Sequence, residues 1–152
     1  MAKIDDLDLT ILSELSEDAS ISIPKLSEKI KVNPSVVYSR IKRLSKRKLI
    51  ERFTIVVNDK ELGFGVKALT GINMDSKFRD TIIDELFKIK GVREISEVTG
   101  RFDIIVTMYA QSLAEMHKLI SEGVGSIQGV LASESFIEMK RRTKTMPYNH
   151  QA

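Results

Sequence analysis

The chain contains no cysteine, which removes disulfides, thiol catalysis and thiolate metal sites together. It also lacks tryptophan, and its only imidazoles are His117 and His150. Two histidines make a poor metal site and a poor acid–base set, so no catalytic residue, metal ligand or cofactor is predicted, and the chain reads as no enzyme. No apolar run approaches the roughly 20 residues needed to cross a bilayer. The opening stretch, with Asp5, Asp6 and Asp8 ahead of any apolar run, is not a secretory signal, and the expected location is cytoplasmic. Scarce Asn and Gln beside 30% charged residues suggest a thermophilic source.

The most informative absence is local. Residues 33–50 hold no acid but six bases, Arg40, Lys42, Arg43, Lys46, Arg47 and Lys48. Residues 1–20 reverse this, with six acids (Asp5, Asp6, Asp8, Glu14, Glu17 and Asp18) against Lys3. A solvated helix face mixes signs, so this segregation predicts a surface for a polyanion although the net charge is only +3. With 42% apolar residues over 152 positions, the chain can bury a core as one ordinary domain or two small ones.

Leu7, Ile11, Leu12 and Leu15 set a helical stripe over residues 5–17, with Asp5, Asp6 and Asp8 at the end where the helix dipole favours acid. A second helix is predicted over residues 23–30, with Ser22 as N-cap and Pro24 in the first turn. Asn33-Pro34 then opens a third helix running to about Lys48, its Val37, Ile41 and Leu44 facing inward. Two short helices joined by the tight turn Lys31-Val32, the second basic outside, read as helix-turn-helix. Phe53-Thr54-Ile55-Val56-Val57 reads as a strand, and Glu61–Gly65 as a hinge.

Beyond the hinge, Ile89-Lys90-Gly91-Val92 and Ile127-Gln128-Gly129-Val130 share an Ile-x-Gly-Val pattern, each after an amphipathic helix and before a strand-like run. Strands are expected at 66–74 and 102–109 before those helices. Two β-α-β units imply a ferredoxin-like βαββαβ domain and an α+β fold. The expected division is 1–50 for the helix-turn-helix, 51–65 for strand and hinge, and 66–152 for the second domain.

On the third helix Ser35, Val36 and Ser39 lie where a recognition helix meets bases, Arg40 can reach a guanine edge or a phosphate, and Lys42, Arg43, Lys46 and Arg47 are expected on phosphates. Removing Arg43 is then expected to lower the salt slope of binding by about one unit. Tyr38 reads equally as core or as a backbone stack. Gly123–Gly129 lacks the spacing of a phosphate loop and reads as a helix end. His117 reads as structural, and Lys140–Lys144 as a solvated tail. By residue type alone, Gly100 and Asp103 read as a hairpin turn.

Ile4-Asp5-Asp6-Leu7-Asp8 with Ile11-Leu12, Asn33-Pro34 with Arg40-Ile41-Lys42-Arg43-Leu44, and Gly100-Arg101-Phe102-Asp103 together resemble the leucine-responsive regulatory protein (Lrp/AsnC) family, archaeal or thermophilic members included. The resemblance implies a winged helix-turn-helix on double-stranded DNA, a strand hinge and a ferredoxin-like domain for effector binding and oligomerisation. It further implies a transcription regulator that responds to an amino acid or related metabolite, as a homodimer assembling to tetramers or octamers. Gly100, Arg101, Phe102 and Asp103 would form the effector loop, with Ser133 and Ser135 offering hydroxyls and Phe136 in the dimer packing. Lys31 replaces the family's usual turn glycine, and Arg101 stands where an acid is common. An architectural protein with little sequence preference is the alternative. A tetrapyrrole decarboxylase of related architecture is disfavoured by the poor histidine set.

Overall fold

Asp5 opens the first helix, α1 (Asp6–Glu17), by accepting a hydrogen bond from the Asp8 N–H at 2.9 Å, while Asp8 accepts from the Asp5 N–H at 3.2 Å. This reciprocal capping box fixes where the helix begins. The computed structural model describes residues 3–144 and residue 148. Ser22 caps α2 (Ile23–Ile30), and Asn33 caps α3 (Pro34–Lys46) by accepting from the Ser35 N–H at 2.9 Å.

Both α2 and α3 end the same way. Lys31 (φ 56°) and Lys48 (φ 59°) adopt the left-handed conformation. The Val32 N–H reaches the Ser27 carbonyl and the Leu49 N–H reaches the Leu44 carbonyl, each at 3.0 Å. These are Schellman closures, at which glycine is the usual residue. Leu26, Val37, Leu44 and Ile11 fill the centre of the helical unit and are fully buried or nearly so.

The described residues divide into two compact units, residues 57–141 forming one, and residues 3–56 with 142–144 and 148 forming the other. The predicted strand Phe53–Val57 is not formed: residues 51–58 carry no strand pairing, and Val56 is completely exposed. β-Branched composition suits a strand, but a strand also needs a neighbour to bond its backbone.

In the second unit β1 (Val66–Met74), α4 (Arg79–Lys88), β2 (Val92–Glu97), β3 (Ile104–Ala110), α5 (Leu113–Lys118) and β4 (Val130–Ile137) follow in order. The strands lie in the order β2-β3-β1-β4, with every neighbouring pair antiparallel. This is the βαββαβ arrangement that the repeated pattern predicts. β3 starts at Ile104, two residues later than expected, because Phe102 belongs to the preceding loop. After α5 the chain runs through a π turn (Leu119–Gly123) and a 3₁₀ turn (Val124–Ser126), so this glycine-rich stretch is a helix end.

Ala68, Thr70, Ile72 and Met74 point from β1 into a core completed by Ile82 and Leu86 of α4, Val106 and Met108 of β3, and Met116 of α5. Each fully buried Ile, Leu or Met side chain contributes about 1.5–3 kcal/mol. The opposite face of the sheet presents Leu69 and Phe136, which are half exposed. Among the described residues no helix is long and apolar enough to cross a membrane.

Candidate nucleic-acid interface and effector loop

The helical period sorts the bases of α3 into two groups. Ser35, Ser39, Lys42 and Lys46 form the exposed stripe opposite the Val37/Leu44 face, with Val36 at its edge and 38% exposed. Tyr38 is 55% exposed, which answers the open reading in favour of the surface. Arg40, Arg43 and Arg47 recur at i, i+3 and i+7 on the flank of the helix and are half-buried. The lysines therefore point outward, and the arginines turn inward.

What Arg40 and Arg43 meet is acid. Arg40 Nη1 donates to Asp5 Oδ2 at 2.5 Å and to Asp8 Oδ1 at 3.2 Å, and Arg43 Nη2 donates to Asp8 Oδ2 at 2.5 Å. Asp8 is fully buried, whereas the two arginine side chains keep 24% and 34% of their exposure. The Arg40 guanidinium beside Asp5, helped by the Asp8 N–H, lowers the Asp5 carboxyl from its usual 3.8 to about 2. The same bond to Asp5 raises Arg40 above its ordinary range. Arg40 and Arg43, expected on DNA, are thus already engaged by α1. Sequence reasoning took Asp8 as a dipole acid, but its place one turn before Ile11 and Leu12 puts it on the apolar face. An inward acid needs a cation, and the i, i+3, i+7 arginines supplied the signal.

In the second unit the loop between β2 and β3 is fixed from β1. The Asp103 N–H donates to the Ile72 carbonyl at 3.0 Å, and Asp103 Oδ2 accepts from the Met74 N–H at 3.0 Å. Asn73 Nδ2 donates to the Arg101 carbonyl at 3.0 Å, and Gly100 turns with φ of 122°. The Phe102 ring lies over Gly71, where a Cβ would come within 2.5–2.6 Å of three ring carbons. It meets Phe136 edge to face at 6.5 Å. Arg101 pairs with Glu134 at 2.7 Å and sits over the Phe102 ring.

Ser133 and Ser135 face the other way. The Ser135 hydroxyl lies 2.9 Å from that of buried Thr70, on the helix side of the sheet. Within one chain, then, the loop joins Glu134 and Phe136 rather than the two serines, since successive strand residues alternate faces. Gly71, Asn73 and Glu134 were missed by sequence reasoning because only the β1–β3 register brings the first two to the loop and only the β1–β4 register adds Glu134. His117 is exposed on α5, Lys140–Lys144 is exposed beyond β4, and His150 lies outside the described residues. No cluster of His, Asp and Glu suited to a metal occurs among the described residues.

Comparison with known proteins agrees with both halves. Residues 4–45 match the AsnC-type helix-turn-helix domain, and residues 67–148 match the Lrp/AsnC ligand binding domain. The transcriptional regulator AzlB of Bacillus subtilis is 32% identical over 149 residues, 95% of each chain. A transcriptional regulator of Neisseria meningitidis solved as an L-Met complex superposes with a TM-score of 0.91 at 20% identity, covering 99% of this chain and 100% of that one. A Pyrococcus furiosus member of the AsnC family superposes at 0.81 with 29% identity and 92% of each chain covered.

Proposed function

The chain belongs to the Lrp/AsnC family of transcriptional regulators, and from that premise we propose that it binds promoter DNA as a cytoplasmic homodimer and changes its binding or assembly with an amino acid or related metabolite. The observation that carries the DNA half is the exposed α3 stripe of Ser35, Ser39, Lys42 and Lys46 beside Val36. Serine hydroxyls and the Val36 methyls suit base edges and the thymine methyl, while lysines suit phosphate. Paired recognition helices would enter major grooves about one helical turn apart.

Two apolar features support self-association: the half-exposed Leu69 and Phe136 on the uncovered sheet face, and the unpaired segment 51–58 with exposed Ile55 and Val56. Further assembly to tetramers or octamers follows the family. For sensing, Gly100, Arg101, Phe102 and Asp103 form the proposed effector loop, and the L-Met complex of the Neisseria relative supports an amino acid as the ligand class. Ser133 and Ser135, on the helix side of the sheet, lie apart from that loop within one chain, and Glu134 and Phe136 take their place beside it. A ligand that prefers one assembly shifts the population toward it.

Selection of bound sequences from a random duplex library tests the regulator reading. Enrichment of a roughly palindromic site is the expected outcome. Retention of unenriched DNA would leave an architectural protein instead.

A further inference from the structure

We propose that Asp5 and Asp8 are positioning residues that set the recognition helix on α1, and that Arg40 and Arg43 serve this lock rather than neutralising DNA phosphates. The inference rests on the DNA-binding reading above and changes which residues carry it.

Asp8 has no access to water, and its two carboxylate oxygens are taken by the Asp5 N–H, Arg40 and Arg43. For Arg43 to give a phosphate the Nη2 edge it uses now it would have to leave Asp8, stranding a buried carboxylate with one remaining cation. Breaking a buried pair on one side is strongly unfavourable for this reason. The Nε edge of Arg43 is itself buried, so that side of the guanidinium is not presented outward.

Residue choice points the same way. A planar guanidinium can bridge two carboxylates in fixed geometry, as Arg40 bridges Asp5 and Asp8. An ammonium on a flexible stem suits a diffuse phosphate row, and Lys42 and Lys46 occupy the outward stripe. The contacts also cross from the first turn of α1, where the capping box fixes the Asp8 backbone, to the middle of α3. They therefore define the rotation of α3 about its axis, and with it the direction of Ser35 and Ser39. A hydrophobic contact such as Ile11 against Val37 has no such directionality.

The lock and a plain charge role make opposite predictions for Asp8→Asn. This nearly isosteric change removes an acid from a DNA-binding unit, so electrostatics alone would tighten binding. If Asp8 positions α3, binding weakens in spite of the added positive charge.

The test uses the full chain and a mixed-sequence duplex several helical turns long, titrated across a salt series, with helical circular dichroism confirming that each variant is folded. Asp8→Asn is expected to weaken binding by about tenfold. Arg43→Met, which keeps the stem but not the charge, is expected to weaken binding with the salt slope unchanged, while Lys42→Ala and Lys46→Ala each lower the slope by about 0.9. Tighter binding by Asp8→Asn, or a slope drop in Arg43→Met equal to that of Lys42→Ala, would overturn the lock while leaving DNA binding intact. Failure of the unaltered chain to bind any duplex would overturn the DNA reading, and the lock's role with it.

Discussion

Gly71→Ala offers a sharp test of how the effector loop is held. Gly71 lies buried in the middle of β1, opposite Ile105 on one side and Glu134 on the other. Glycine inside a strand ordinarily costs about 0.5–1 kcal/mol relative to alanine, so the substitution should by propensity stabilise the sheet. The geometry reverses that expectation. The new methyl would fall 2.5–2.6 Å from three carbons of the Phe102 ring, well inside van der Waals contact. The strand is bonded on both edges and cannot recede, so Phe102 must lift, losing its edge-to-face contact with Phe136. Overpacking of this kind costs about 1–3 kcal/mol. Set against the propensity gain, a net loss of up to about 2.5 kcal/mol remains. For a chain of this length that lowers the melting temperature by about 2–4 °C per kcal/mol.

The assay is thermal unfolding at fixed protein concentration, since self-association would make the midpoint concentration-dependent. Gly71→Ala is compared alone and on a Phe102→Ala background. With the ring gone, the three atoms nearest to the methyl are removed and the propensity gain should emerge, so the substitution becomes neutral or stabilising. An equal loss on both backgrounds would refute the argument that Phe102 packs on the glycine, and with it the account of how the loop is positioned.

Other outcomes follow from the same geometry. Lys31→Gly relieves a left-handed lysine at the α2 closure and should raise stability by about 0.5–1 kcal/mol in denaturant unfolding; a decrease would mean that the Lys31 side chain contributes more than its backbone costs. Because the Asp5 carboxyl is lowered to about 2 from 3.8, its contribution is fully present above the unfolded value and is lost as pH falls toward the folded one. Asp5→Asn should therefore flatten the acid limb of the stability curve across that window, and a limb of unchanged steepness would contradict the Arg40 pairing. If Gly100–Asp103 is the core of an effector site, a panel of amino acids should include at least one that raises the melting temperature, and Phe102→Ala should abolish the shift. A panel with no active member would count against an amino-acid effector.

The helices and the order of strands were legible because they are local or repeated. Ser22 and Asn33 announced their caps, and the Ile-x-Gly-Val repeat marked both β-α-β units. Even there, one pattern covers two causes. Gly129 has φ of 94° with Phe78 packed where a Cβ would stand, whereas at Gly91 it is the Tyr109 carbonyl that leaves no room. What the sequence hid depends on pairing across distance. Nothing in Phe53–Val57 states whether a neighbouring strand is present, and it has none among the described residues. The spacing of Arg40, Arg43 and Arg47 marks one flank of the helix, but what sets Arg43 apart from Lys42 as a phosphate ligand is Asp8, 35 residues earlier. The loop residues Gly100–Asp103 could be identified by motif, but their support from Gly71 and Asn73 required the register of β1 with β3, and that from Glu134 the register of β1 with β4.

The central claim is that the exposed stripe of α3 reads DNA sequence. The most direct measurement is the ratio of affinities for a selected duplex and a mixed-sequence duplex at one fixed salt concentration, taken for the unaltered chain, Ser39→Ala and Lys42→Ala. The account predicts a ratio of at least about 10³ for the unaltered chain. It predicts a smaller ratio for Ser39→Ala, and for Lys42→Ala weaker binding to both duplexes with the ratio preserved. A ratio near one for the unaltered chain would contradict it.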